Sequence, residues 1–357
     1  MDYECELSVV LIARNEEEMI ADCIESVIKA CDYAKEKGVL GSYEVILSDS
    51  ASTDRTVEIA KKYPVRIVQL RSSWKLSAPA GRYIGSLYAN GKYVFFTDGD
   101  CIVYENFIAR ALPYLSDEKV AGVVGYEREH VAEGNFFYES IKAEAEKNEP
   151  KSVERVDWIG KGIFKRDILM KAGSYNPWLR GCEERELCFR IRKLGYGFLS
   201  LPFPGNLHHW AKKSGNLKYW QVVRTTIGWS LGDGNYWKMN GKAVWPDIRK
   251  RYFGTRMLIL NNIPMMVVIL LGAVNLLALL SRETFLPYAA AVDTGFVIGI
   301  FALKLHSRKS LVKTVYRYFE VIPYTVIRTG CLLIGRLGKS RNIAEYPTDA
   351  VELVKNA

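Results

Sequence analysis

Val94-Phe95-Phe96-Thr97-Asp98-Gly99-Asp100 runs from an apolar strand directly into two carboxylates one residue apart. Two carboxylates so placed cannot both enter a core, and the intervening Gly99 permits a turn that presents both to a divalent cation and its phosphate ligands. Alone, the same pattern also describes a solvated turn. Its neighbours narrow the choice. Leu7-Ser8-Val9-Val10-Leu11-Ile12-Ala13 is a short run rich in β-branched residues, followed by Asn15 and apolar residues at helical spacing from Glu16 to Ala34. Glu44-Val45-Ile46-Leu47-Ser48 repeats the pattern, with a polar turn from Asp49 to Asp54 and a helix through Val57, Ile59 and Ala60. Val65 to Leu70 reads as a third strand, Ala78 to Ala89 as a helix, and Tyr93 to Thr97 as a fourth strand. This alternation predicts an α/β fold with a Rossmann-like, mostly parallel sheet and ligands at the strand C-termini.

Beyond Asp100 the pattern predicts a strand over Gly122–Tyr126, a solvated helix over Glu139–Glu149, a strand through Trp158-Ile159-Gly160 and a helix over Arg166–Ala172. A further helix over Glu183–Leu194 opens with a carboxylate-rich first turn. Apolar residues then concentrate after about residue 255. Met257 to Ser281 carries no charge, and Thr284 to Leu303 carries only Asp293, so two spans (about 257–281 and 284–304) are expected as a transmembrane helical hairpin. Basic residues flank both ends, Arg249, Lys250, Arg251 and Arg256 before and Lys304, Arg308, Lys309 and Lys313 after, which predicts cytoplasmic ends. Residues 311–337 mix apolar and basic positions and suit a helix lying in the interface, with a third span as the alternative. The expected organisation is a catalytic domain over 1–245, a juxtamembrane segment and hairpin over 246–310, and an interfacial helix and tail over 311–357.

The formal charge of +9 over 357 residues comes without a basic run interleaved with aromatics, so phosphate-rich small molecules and lipid headgroups fit better than nucleic acid. Seven cysteines without a C-x-x-C pair disfavour a zinc site and a disulfide framework and point to a reducing compartment for the catalytic part. Asp2, Glu4 and Glu6 precede the first apolar run, unlike the layout of a signal peptide.

Four motifs occur in order: Leu11-Ile12-Ala13-Arg14-Asn15-Glu16-Glu17, Ser48-Asp49-Ser50-Ala51-Ser52-Thr53-Asp54, Asp98-Gly99-Asp100, and Gly181-Cys182-Glu183-Glu184-Arg185-Glu186-Leu187-Cys188. Together they resemble glycosyltransferase family 2, the inverting enzymes with the GT-A nucleotide-diphospho-sugar transferase fold, over about residues 7 to 215. The resemblance implies that Ala13, Arg14, Glu16 and Asp49 cradle the nucleobase, although Asp49 also reads as a helix N-cap, a role Asp54 fits as well. Ser50 stands where the family often has a second acidic residue. Lys75, Ala80 and Arg82 fall in the family's basic segment before the aspartate strand, which suggests diphosphate contact; Lys75 equally reads as a solvated loop charge. Asp98, Gly99 and Lys161 complete the expected donor contacts, and Trp158, Gly160 and Gly162 lie where the family lines its sugar and acceptor pocket. Asp98, Asp100 and His209, the last by its spacing to Ser214, are the expected ligands of Mn or Mg. Glu183-Glu184 resembles the family's acidic pair, with Glu184 as general base. At least one carboxylate among Glu183, Glu184 and Glu186 is expected only to balance the helix N-terminus. Trp220, Trp229, Trp237 and Trp245, in a segment with Gln221 and Arg224, suit either sugar stacking or headgroup anchoring.

The resemblance thus implies a metal-dependent transfer of sugar from a nucleotide-diphosphate sugar to a hydroxyl. The hairpin implies a membrane-bound protein with a cytoplasmic catalytic domain and a lipid-linked acceptor of polyprenyl or dolichyl type. Transfer directly to a polyprenyl phosphate, a processive synthase and a non-catalytic membrane scaffold are the alternatives. The paired glutamates weigh against the first, two spans against the second, and the retained Asp98, Asp100 and Glu184 against the third.

Overall fold

β1 (Cys5–Ala13) is buried from Leu7 onward on both faces, as a central strand covered by helices on each side must be. The computed structural model describes residues 3–130, 146, 149–209, 219–246, 248–249, 331–337 and 341–354. β1 pairs in parallel with β2 (Tyr43–Asp49) and β4 (Gly91–Asp98), and the register sets Ala13 opposite Asp49 and Ile12 opposite Asp98. The polar C-terminal ends of three strands therefore fall on one line. β3 (Arg66–Gln69) extends this parallel group beyond β2. On one face lie α1 (Ile20–Glu36), α2 (Thr56–Ala60) and α4 (Phe107–Ala111); on the other lies α3 (Ala78–Tyr88).

α3 has Ser77 at its cap, whose Oγ accepts from Ala80 N–H at 3.3 Å, and Pro79 in its first turn. A Cβ on Gly85 would overlap the Val10 side chain of β1. Glycine there lets the helix lie close to the sheet, which fixes where Arg82, one turn earlier, points.

Beyond β4 the sheet is mixed rather than mostly parallel. Among the described residues it has ten strands in the order β10-β3-β2-β1-β4-β8-β6-β9-β5, with β7 paired to β9. β8 (Ile163–Lys165) lies antiparallel between β4 and β6 (Val120–His130). β9 (Gly197–His209) runs parallel to β6 and antiparallel to β5 (Cys101–Val103). The strand expected at Trp158–Gly160 is a connection. The strands beside it are β7 (Glu154–Val156) and β8, and Trp158 is 42% exposed. Pro202-Phe203-Pro204-Gly205, whose residue types signal a turn, lies inside β9. Register shifts on either side of Tyr126 leave extra residues on β9, and a bulge is where a strand tolerates proline. α5 (Arg166–Lys171) and α6 (Glu183–Lys193) match the expected helices. Of the helix expected over Glu139–Glu149, most residues lie outside those described.

The chain divides into two compact units, Met1–Leu217 with Arg341–Ala357, and Lys218–Ser340, against the expected catalytic boundary at 245. In the first unit the C-terminal residues return to the sheet: β10 (Val351–Val354) pairs antiparallel with β3, and Glu352 meets Arg66 at 2.6 Å. Tyr346 is 2% exposed, its ring 5.8 Å from Trp74 and 5.1 Å from Trp178, and its hydroxyl donates to Lys75 O at 2.6 Å. In the second unit, α7 (Tyr219–Asn240) meets the helical residues 331–337 with Gly234 and Gly335 at the contact, where a Cβ on either would overlap backbone. Trp237 and Trp245 stack on each other at 4.9 Å, and the Arg336 guanidinium lies 3.8 Å from the Trp237 ring. The side chains of Trp220, Gln221, Arg224 and Trp229 lie outside those described. Among the described residues no helix is long and apolar enough to cross a membrane; the expected spans fall outside them.

Tyr346→Ala removes the buried ring that ties residues 341–350 to the 74–83 segment and lowers stability by about 3 kcal/mol. A lowered urea midpoint checks this, and an unchanged midpoint refutes the packing role.

Candidate active site

The turns after β1 and β2 are laced together. Asn15 and Ala51 take left-handed backbone, at φ 58° and 54°. Asn15 N–H donates to Ser52 Oγ at 2.9 Å, Glu16 N–H to Thr56 Oγ1 at 2.7 Å, Glu17 N–H to Asp54 Oδ2 at 3.1 Å, and Thr53 N–H to Asn15 Oδ1 at 2.8 Å. Asp49 is fully buried and closes its own turn, accepting from Ser52 N–H at 2.9 Å and the Gln69 amide at 2.8 Å. Asp54 accepts from Thr56 N–H at 3.0 Å at the start of α2. Buried Ala13 and Glu16 and exposed Arg14 stand around this double turn.

The Asp98-Gly99-Asp100 turn tucks beneath the end of β1. Gly99 N–H donates to Ile12 O at 2.8 Å, and a Cβ on Gly99 would lie 3.0 Å from the Ala13 methyl. Arg82, 4% exposed, joins this turn to the start of α6. Its Nη2 reaches Asp98 Oδ1 at 3.0 Å, and its Nη1 reaches Glu183 Oε1 at 2.8 Å and Glu184 Oε1 at 3.3 Å. Lys161 bridges Asp98 Oδ2 at 3.5 Å and Glu127 Oε2 at 2.5 Å. Burial alone would raise the Asp98 carboxyl; Arg82 and then Lys161 outweigh it and hold Asp98 below its ordinary value. Arg82, expected against the donor diphosphate, and Lys161, expected among the donor contacts, thus hold the site's carboxylates together. Both Asp98 oxygens face cations, which leaves Asp100 as the better-placed metal ligand of the pair.

At the start of α6, Cys182 takes φ 63° and delivers the glutamates in succession. Glu183 is buried, with a side chain 8% exposed, while that of Glu184 is 24% exposed. Burial, then the neighbouring Glu184 charge, pushes the Glu183 carboxyl up to about 7 against the pull of Arg82. Glu184 is the more exposed member of the pair. Glu186 is the structural carboxylate: it pairs with Arg190 at 2.7 Å, which also donates to Ser174 O at 2.7 Å. The Arg185 guanidinium lies 4.5 Å from the exposed Trp158 ring.

The histidine facing Asp100 is His208. Its Nε2 lies 3.4 Å from Asp100 Oδ2, and its Nδ1 lies 3.2 Å from Glu129 Oε2 and 3.7 Å from Glu127 Oε1. This corrects the expectation for His209, whose ring lies 5.0 Å from that of His130. Successive strand residues face opposite sides of the sheet, so of two adjacent histidines only one can face Asp100. Burial opposes protonation of His208, but hydrogen bonds to Asp100 and Glu129 raise it to about 9. The Asp100 carboxylate suits Mn or Mg, and a neutral imidazole adds a nitrogen ligand beside it. Cys101 Sγ stands with Asp100 and His208, the three ligand atoms within 4.8 Å of one another, and burial pushes its thiol well above its ordinary value.

Lys75, also expected at the diphosphate, donates instead to the carbonyls of Trp178 and Leu179. Glu127, Glu129, His208 and Tyr175, whose ring lies 5.6 Å from the Arg82 guanidinium, were not singled out from sequence. The one available signal for the glutamates is their spacing of two on a strand, which puts both on one face.

Residues 8–173 match the family model described as Glycosyl transferase family 2. Over that segment, somewhat under half of the chain, the sequence is similar to the family 2 glycosyltransferases. Glu183, Glu184 and His208 lie beyond its matched end. EpsE of Bacillus subtilis (strain 168) is 27% identical over 125 residues, 33% of this chain and 41% of that protein. Glycosyltransferase AglE of Haloferax volcanii is 30% identical over 122 residues, 33% of this chain and 38% of that protein. The chain thus spans about two fifths of the length of the curated relatives it matches. A crystal structure of S. aureus TarS 1-349 in complex with UDP-GlcNAc is 14% identical, with a TM-score of 0.45 over 91% of each chain.

Arg82→Met leaves buried carboxylates without their counter-charge and lowers stability by about 3–5 kcal/mol. Arg82→Lys recovers only part, because an ammonium lacks the planar fork that reaches several oxygens. Urea midpoints check both, and a wild-type midpoint for Arg82→Met refutes the role. Glu183 provides a pH test. Its folded value of about 7 lies above the ordinary 4.5, so its stabilising contribution is full below pH 4.5 and is lost as pH rises to about 7. Wild-type stability relative to Glu183→Gln therefore declines across that window, and a pH-independent difference sinks the assignment.

Proposed function

We propose that the protein transfers a sugar from a nucleotide-diphosphate sugar to a hydroxyl of a lipid-linked saccharide, inverting the anomeric carbon, in a metal-dependent reaction at the cytoplasmic face of a membrane. The observation that carries the reading is the Arg82 junction, which brings the aspartate turn after β4 within one guanidinium of the glutamate pair at the start of α6. A donor-binding feature and an acceptor-activating feature belong together in a transferase, and the similarity to family 2 glycosyltransferases supports the donor class.

A divalent cation bound at Asp100 and His208 would neutralise the diphosphate as it leaves. Glu184 accepts the proton of the acceptor hydroxyl as the oxygen attacks the anomeric carbon opposite the departing diphosphate. Arg82 holds Glu184 in place, and Trp158 with Arg185 offers a surface on which a sugar ring stacks. The uncharged run Met257–Ser281, its basic flanks and the exposed Leu333, Ile334 and Leu337 support the membrane part of the reading. Confinement at a bilayer raises the effective concentration of a lipid-linked acceptor.

The test is a screen of nucleotide sugars for hydrolysis and transfer by the full chain in detergent. Glu184→Gln lowers kcat by about 10²- to 10⁴-fold and leaves donor KM unchanged. Full transfer by that variant eliminates the hydroxyl-acceptor mechanism. Chelation of divalent cations abolishes transfer, and Mn or Mg restores it; activity that survives chelation removes metal dependence from the reading.

A further inference from the structure

We infer that Glu129 is a positioning residue for the metal site, holding the His208 imidazole so that Nε2 faces the cation bound by Asp100. The inference rests on the metal-dependent reading above and names a residue that reading does not use. β6 and β9 run side by side with Glu129 paired to His208, and on the opposite face the His130 and His209 rings meet at 5.0 Å. Alternation along β6 puts Glu127 on the same face as Glu129, yet the two carboxylates are not equivalent. Glu127 has its own cation, Lys161 at 2.5 Å, and stands 3.7 Å from His208 Nδ1. The Glu129 side chain is 10% exposed, and its Oε2 is buried, with His208 Nδ1 at 3.2 Å and no hydrogen-bond partner elsewhere among the described residues. A buried carboxylate oxygen is costly to leave unpaired, so its partner must be the group it serves.

Nε2 lies 3.4 Å from Asp100 Oδ2 and carries the proton it shares with that carboxylate; with Nδ1–H held by Glu129, this Nε2 proton is the one a cation at Asp100 would replace. Its loss leaves the tautomer and orientation a metal ligand needs, and a carboxylate behind a ligating histidine also raises its basicity. Lys161 fills the space beside Glu127, so a second cation held by Glu127, Glu129 and His208 is disfavoured. The geometry instead ranks Asp100 and His208 at the cation and Glu129 behind the histidine.

The experiment titrates the full chain in detergent with Mn2+, in the presence of inorganic pyrophosphate as a stand-in for the donor diphosphate, and reads free Mn2+ by electron paramagnetic resonance. Glu129→Gln, nearly isosteric, weakens Mn2+ binding about 10- to 100-fold. Glu129→Asp, which keeps the charge and withdraws it by one methylene, falls between wild type and Glu129→Gln. The double variant Glu129→Gln/His208→Ala binds no more weakly than His208→Ala alone, because Glu129 acts only through the histidine. Wild-type affinity in Glu129→Gln, or a double variant weakened by both single effects combined, overturns the positioning role. Wild-type affinity in His208→Ala instead overturns the metal-site reading on which the inference rests, so the two failures are distinguishable.

Discussion

One buried guanidinium holds the candidate site together. Arg82 contacts Asp98, Glu183 and Glu184, residues that reach it from β4, which follows α3 in the chain, and from the distant start of α6. Without it three carboxylates would crowd a poorly solvated space, and the resulting repulsion would push the two elements apart. Burying the charge is itself costly, and three carboxylate contacts offset that cost only because the planar fork reaches them together. The placement of Arg82 rests in turn on the close approach of α3 to β1 at Gly85. The chemistry of the site is thus tied to a packing feature one helical turn away.

Strand register supplies the second constraint. Parallel pairing of β1, β2 and β4 aligns Ala13, Asp49 and Asp98 at one end of the sheet, where polar turns meet. The β6–β9 pair then brings Glu127, Glu129 and His208 to the Asp100 side of the site. Because strand side chains alternate, the choice between two adjacent histidines follows from register alone. Prolines inside β9 are accommodated by shifts in that register, so the strand continues beyond them to His208.

The aspartate turn, the strand-helix alternation to Asp100 and the glutamate pair were legible because each is a local pattern of residue types. Partnership was less legible. Arg82 and Lys75 are both basic residues shortly before the aspartate strand, yet the first is a buried hub and the second is held by backbone carbonyls. Charge type alone cannot separate these outcomes, because two of the three partners of Arg82, Glu183 and Glu184, lie 101 and 102 residues away along the chain. β9 was obscured for a similar reason, since Pro-Phe-Pro-Gly carries a turn signal that tertiary pairing overrode.

The sequence by itself determined that an apolar parallel core ends in acidic turns, since hydrophobic period and turn chemistry are properties of neighbouring residues. Only the tertiary structure decided that Asp98 is paired with Arg82 and Lys161, that His208 faces Asp100, and that residues 341–354 return to the edge of the sheet. These are contacts between distant segments, set by register and helix packing, and no local pattern encodes them.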